Sequence, residues 1–266
     1  MIKSSSLIAA AILALFAAPA MAQVTPSRLT LGYDGKLDLI KVLDLQFQQH
    51  IGAGAFDTGA QLRSYGLLAA FKHFDIKASA RGRLGGQGPE PESFDYVNHD
   101  GKRVRHVTVN WRRDAVAMTS APPFSDLGDP PASLEQRQTA ADPLTQLMRM
   151  TVAMPNRPCE GAPMLFDGKQ LYQLAFDNAA AADPDDDQRA LGITRIARCT
   201  MHYNEVAGFK KKPAAKRNNG LNSPIDIAFG QMGPEGPWVI AEVRASTPLG
   251  PAAILLRRAH ISHAAS

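Results

Sequence analysis

Apolar residues recur at every second position along most of this chain, and a period of two commits a chain to extended segments whose alternate side chains face one interior. Phe74, Ile76, Ala78 and Ala80 form one such set, and Val107, Val109 and Trp111 another. The period returns in Tyr172, Leu174 and Phe176, in Ala197, Cys199, Met201 and Tyr203, and in Ile225, Ile227 and Phe229. It continues in Val239, Ala241 and Val243 and in Ala253 and Leu255. Leu37, Leu39, Leu43, Leu45 and Phe47 read as one long half-buried strand, interrupted at Lys41, with Asp38, Asp44, Gln46 and Gln48 opposite. Strands with one dry face and one wet face belong to antiparallel sheet, because the crossovers of a parallel sheet cover both faces. The expectation is an all-β chain with one or two short helices, its sheet strongly curled or rolled into an unclosed β-barrel.

Turn chemistry agrees with hairpins. Asp-Gly supplies the positive φ of a tight turn in Tyr33-Asp34-Gly35-Lys36, His99-Asp100-Gly101-Lys102 and Phe166-Asp167-Gly168-Lys169, with Asn219-Gly220 as a fourth site. Gly52-Ala53-Gly54 follows a polar strand end and reads as a turn, not a dinucleotide loop. A helix is expected from Asp142-Pro143-Leu144, where Asp caps the free amides and Pro takes the first helical position; Leu144, Leu147, Met148, Thr151 and Val152 follow on one face, and the helix stops before Pro155. A second is expected between Leu62 and Phe71, weakened by Gly66. Gly85–Glu92 and Ala121–Ala132 are rich in Gly and Pro and read as loops within a single domain, residues 23–266.

The first 22 residues read as a cleavable export signal. Lys3 precedes an apolar run from Leu7 to Ala18, and small residues at Ala20 and Ala22 suit a signal peptidase. The run is too short to span a hydrocarbon layer of about 30 Å, and Gln23 stands where a lipoprotein would carry Cys. A chain that is not membrane-spanning once the signal is removed, working in the periplasm or alternatively secreted, is expected. In that oxidising setting Cys159 and Cys199, the two cysteines of the chain, are expected to pair as a disulfide. Closing a loop of that length stabilises a fold by roughly 2–4 kcal/mol.

The formal charge of +4 is concentrated: Lys210, Lys211, Lys212, Lys216 and Arg217 form a basic loop, and Asp183, Asp185, Asp186 and Asp187 an acidic one. The basic loop is either a solvated connection or a contact for anionic lipid headgroups. The acidic run lacks the glycine and distal glutamate of a calcium loop. No serine-hydrolase elbow, zinc-protease helix or phosphate-binding glycine loop occurs. The seven histidines are scattered, and Glu90 and Glu92 lie in a proline-rich stretch. Arg103, Arg105, Arg112 and Arg113 interleave with Trp111, but an exported protein meets little nucleic acid, and none is expected as a partner. Neither a metal nor a cofactor is implied.

The order of the pieces carries a resemblance. Tyr65-Gly66-Leu67 precedes a strand, Asp142-Pro143-Leu144-Thr145 opens a helix, and Cys159 comes shortly before Phe166-Asp167-Gly168-Lys169-Gln170-Leu171-Tyr172. Arg198-Cys199, Tyr203 and Ala207-Gly208-Phe209 close the series. This arrangement resembles the bacterial exported proteins grouped as domain of unknown function 3108. The resemblance implies an exported curled sheet and supplies no catalytic residues. By looser analogy such a sheet looks like the carriers that move lipoproteins or lipids across the periplasm, with a helix over an apolar concavity. The basic insertion from Lys210 to Arg217 departs from that pattern.

Two functions follow as expectations. The first is a non-catalytic envelope protein that binds an apolar ligand, a lipid or lipoprotein acyl chain, or a protein partner in envelope maintenance, with Leu43, Leu45, Phe47, Leu147 and Met148 lining the trough. The alternative is a periplasmic hydrolase whose site is assembled from distant loops.

Overall fold

Thirteen strands join in one antiparallel sheet in the computed structural model, which describes residues 27–86, 88–152, 158–210 and 223–263. The expected signal segment, Asn219-Gly220 and the cations Lys211, Lys212, Lys216 and Arg217 lie outside the described residues. The first half of the chain forms β1 (Ser27–Leu37), β2 (Ile40–Ile51), β3 (Ala55–Ser64), α1 (Gly66–Phe71), β4 (Phe74–Gly85), β5 (Gly88–Asp100), β6 (Arg103–Arg112) and β7 (Ala115–Ala121). Two helices follow, α2 (Leu134–Thr139) and α3 (Pro143–Val152). The second half forms β8 (Met164–Phe166), β9 (Leu171–Ala182), α4 (Asp186–Ala190), β10 (Ile193–Ala207), β11 (Ile225–Met232), β12 (Trp238–Thr247) and β13 (Gly250–His263).

Each half is a meander of neighbouring hairpins, and the two are sewn together where β1 pairs with β13, from Ser27 with His263 to Leu37 with Ala252. The order runs from β7 through β1 and β13 to β8, so β7 and β8 are the two ends of an unclosed sheet. The roll brings these ends together through side chains. The Arg137 guanidinium donates to the Val116 carbonyl of β7 at 3.3 Å and lies 6.0 Å from the Phe166 ring of β8. Gly168, at a φ of +96°, sets the β8–β9 turn flat against Val107 and Val109 of β6, where a Cβ would collide.

The dry faces meet inside. Leu29, Leu31, Phe47, Phe94, Val107, Val109, Phe166, Leu171, Ile193, Val239 and Leu256 are buried in one cluster drawn from both halves. Burying a side chain of this size stabilises by about 1.5–3 kcal/mol.

Several expectations need correction. Tyr33-Asp34-Gly35-Lys36 is not a turn: Gly35 lies within β1, where a Cβ would strike Leu43. The reversal comes later, at Asp38 and Leu39, with Asp38 itself at a φ of 55°. The expected single strand from Leu37 to Phe47 is therefore the end of one strand, a turn and the start of another. Most of the expected loop from Gly85 is strand: Gly88–Glu92 opens β5, and β4 pairs with it from Gly85 with Gly88 onward. Its prolines are tolerated because β6 joins β5 only from Ser93, which leaves the other edge of Pro89 and Pro91 without a ladder to supply.

The helix expected from Leu62 is shorter. Leu62 pairs with Leu45 and Ile76 inside the sheet, and α1 starts at Gly66, whose φ is +56°. In β13 the buried face carries Ile254 and Leu256 rather than Ala253 and Leu255, and a register shift opposite Gly32 and Tyr33 then moves it to Ala259 and Ile261. The acidic run is not a bare loop: Asp185 caps α4 in a reciprocal pair with Gln188.

Candidate apolar site

Helix α3 crosses the inside of the roll, and its sequence explains where it is held. Asp142 is fully buried, and its Oδ1 accepts hydrogen bonds from the amides of Leu144 and Thr145 at 2.9 and 2.8 Å. Ala141, just before it, exchanges backbone hydrogen bonds with β8: its amide donates to the Met164 carbonyl at 3.2 Å, and the Phe166 amide donates to its carbonyl at 2.9 Å. At the far end the Thr151 hydroxyl donates to Gln49 Oε1 of β2 at 3.1 Å, and Arg149 Nε donates to the Pro89 carbonyl of β5 at 2.8 Å. The helix is a strut pinned to the sheet at both ends.

A cavity of about 120 Å³ remains between the strut and the inner face of β1, β2, β3, β11, β12 and β13. Leu147, Met150 and Thr151 face it from the helix. Leu31, Tyr33, Leu45, Phe47, Phe229, Trp238, Val239, Val243 and Ile254 face it from the sheet. The lining is almost wholly carbon. The Tyr33 phenol is pushed far above its ordinary pKa by burial and stays protonated. A void of roughly 150 Å³ with such a lining stays dry and accepts a benzene-sized guest. The larger concavities, of about 610, 470 and 340 Å³, are lined mainly by polar or small side chains such as Gln48, His50 and Lys77, Ala179 to Asp183, and Asp226 with Arg244.

Cys159 and Cys199 form a disulfide with their Cα atoms 5.8 Å apart. It ties the segment after α3 to β10 and packs with Met150, Ile227, Phe229 and Trp238, three of which also wall the cavity. The bridge therefore belongs to the site as well as to stability.

Of the residues read as a trough from the sequence, Leu45, Phe47 and Leu147 line this cavity. Met148 turns to the other side of the helix, where it is fully buried with Ile51 and Phe56. Leu43 lies beyond the cavity on the face of Leu45, half-buried against Gly35. Sequence reasoning missed Trp238, Tyr33 and Ile254. Their alternation marks them as interior, but nothing in a period of two says that a helix stops short of them. Lys210 is exposed and pairs with Asp126 at 4.0 Å.

Two polar groupings lie apart from the cavity. Asp167 accepts from the amides of Lys169 and Gln170 at 2.9 and 2.7 Å, and burial pushes its carboxyl up. Burial and the nearby Asp167 charge push Tyr96 up to about 12 and raise Tyr172 and Tyr203 further. The three tyrosines keep their protons at neutral pH. Three histidines face carboxylates on neighbouring strands: His50 with Asp57 at 3.1 Å, His106 with Asp95 at 3.5 Å and His202 with Asp177 at 2.9 Å. All three pairs are solvent-accessible and sit on three separate strand pairs, β2–β3, β5–β6 and β9–β10. No group of three or more His, Cys, Asp or Glu suited to a metal occurs among the described residues, and no helix among them is long and apolar enough to cross a membrane.

Comparison with protein-family models returned no match, and neither did comparison with the curated proteins. Among solved structures the chain is similar to a β-barrel-like protein of domain of unknown function DUF1849 from Brucella abortus, at 12% identity and a TM-score of 0.48. That similarity covers 90% of this chain and 99% of the other.

Proposed function

We propose that this is a non-catalytic protein of the bacterial periplasm that takes the acyl chain of a lipid or lipoprotein into the space between α3 and the inner face of the sheet. The observation that carries the reading is the carbon-lined cavity beneath a helix held by a few polar pins. A cavity of about 120 Å³ admits only the end of an acyl chain, so cargo enters fully when α3 shifts outward. Export through a signal over residues 1–22 and kinship with domain of unknown function 3108 are parts of the same proposal, and the disulfide agrees with an oxidising compartment.

Native mass spectrometry of the protein purified from its own periplasm tests the reading. An adduct with the mass of a fatty acid or phospholipid is expected, and it should vanish in Leu147→Trp, which fills the cavity from the helix side. A parent protein that is clean of adducts and also fails to quench or shift a fluorescent fatty acid would overturn it.

A further inference from the structure

One end of the roll carries apolar side chains for which the fold has no use. Leu39 on the β1–β2 turn is 85% exposed, Phe71 at the end of α1 88% and Leu249 on the β12–β13 turn 80%. Ile40 and Tyr65 beside them are more than half exposed. Backbone hydrogen bonds make these connections neighbours. The Asp38 amide donates to the Pro251 carbonyl at 2.7 Å, the Tyr65 amide to the Val42 carbonyl at 2.8 Å and the Gly101 amide to the His73 carbonyl at 3.0 Å. The row thus runs from the β12–β13 turn across the β1–β2 turn and α1 to the β5–β6 turn. At the opposite end, the described connections between β2 and β3, β4 and β5, β6 and β7, β9 and β10, and β11 and β12 expose no large hydrophobic side chain.

Single exposed leucines are ordinary, but a row of them gathered at one end is not. Their setting decides the partner. They ride on separate projecting turns rather than on a flat patch, and cations stand among them: Lys72, Lys102 and Arg103 are exposed, with Asp38 and Asp100 as the acidic counterweights. Lys72 holds Asp100 at 2.6 Å, which leaves Lys102 and Arg103 to the outside. Apolar tips flanked by positive charge match the boundary layer of an anionic bilayer, where aliphatic and aromatic groups sink below phosphates that attract lysine and arginine.

We propose that this end is a membrane-docking face. Leu39, Phe71 and Leu249 enter the interfacial layer, while Lys102 and Arg103 meet headgroup phosphates. The inner face leads the same way, since half-buried Leu43 lies one step nearer this end than the cavity-lining Leu45. Docking here turns the Leu43 end of the inner face toward the lipid, yet the proposal stands on the outer row alone and holds whether or not the interior takes cargo.

Flotation of the exported chain with vesicles tests it. Vesicles of equal parts phosphatidylethanolamine and phosphatidylglycerol should retain the protein, and phosphatidylcholine alone should retain it weakly. Leu39→Asp combined with Phe71→Asp should weaken retention more than about tenfold, with an unchanged melting temperature because both sites are exposed. Lys102→Glu with Arg103→Glu should cost about fivefold per cation, on the anionic vesicles only. A fluorophore on Leu249→Cys should shift to the blue on vesicles, and one on Ala53→Cys, at the other end, should not. The proposal is overturned by a parent chain that ignores anionic vesicles, or by a double aspartate variant retained like the parent. Self-association through Leu39 and Phe71 without vesicle binding would also overturn it.

Discussion

At the residue scale the chain places carboxylates where water does not reach and uses them as hydrogen-bond acceptors. Asp142 caps α3 from a fully buried position, and burial raises its pKa despite the two amides that oppose the rise. A carboxyl raised in the folded state contributes stability that is whole below its unfolded pKa of about 3.9 and is drawn down as pH climbs through the folded value. Asp167 adds to the trend with the same sign. Asp142→Asn keeps an acceptor for the cap and removes the charge. Its melting temperature should therefore vary less than the parent's from acid to neutral pH and equal or exceed it at neutral pH. Asp142→Ala has no acceptor, and it should lose about 1–2 kcal/mol in urea titrations throughout. The cap was legible from Asp142-Pro143 in the sequence. Its burial was not, because it depends on tertiary neighbours such as β8, which Ala141 bridges from outside the local sequence.

At the element scale α3 decides what the interior can hold. Its amphipathic spacing was legible, and Leu147 on the cavity side followed from it. The outcome for Met148 did not, because a helix inside a roll meets walls on several sides and its apolar stripe is shared between them. Three devices fix the resting depth of the helix: the strand-like bridge before it, the Thr151–Gln49 and Arg149–Pro89 hydrogen bonds near its end, and the Cys159–Cys199 bridge beyond it. Replacing both cysteines with serine should lower stability by roughly 2–4 kcal/mol, seen as a fall in melting temperature that reductant reproduces in the parent. The same variant should admit a fluorescent fatty acid faster, since the cavity wall of Met150, Phe229 and Trp238 loses its fastening. Gln49→Leu removes the partner of Thr151 and should cost about 1 kcal/mol, again with faster uptake.

At the scale of the whole molecule the first and last strands meet in the centre of the sheet. β1 and β13 stand at opposite ends of the sequence, so their pairing closes the longest loop the described chain contains, and closing long loops slows folding. A circular permutant that joins His263 to Ser27 through a short linker and opens the chain at Ala53 makes that pair a local hairpin. Stopped-flow refolding of the permutant should be faster than the parent's, with little change in unfolding rate. Destabilised folding of the permutant would show that the β2–β3 turn, and not the central pairing, organises the sheet.

Alternation of side chains settled, without any coordinates, that the chain is antiparallel sheet with a dry face and a wet one. Asp-Gly pairs settled two of the reversals, and Asp142-Pro143 settled the helix start. What a period of two leaves open is the object a dry face packs against, since the same pattern serves a flat sandwich, a closed barrel or an open roll. The junction of β1 with β13, the side-chain seam between β7 and β8, the cavity beneath α3 and the gathering of Leu39, Phe71 and Leu249 at one end all bring together residues far apart in sequence. Local spacing holds no record of such neighbours. The fold alone chose them, through the burial and backbone pairing that became available once the sheet had rolled.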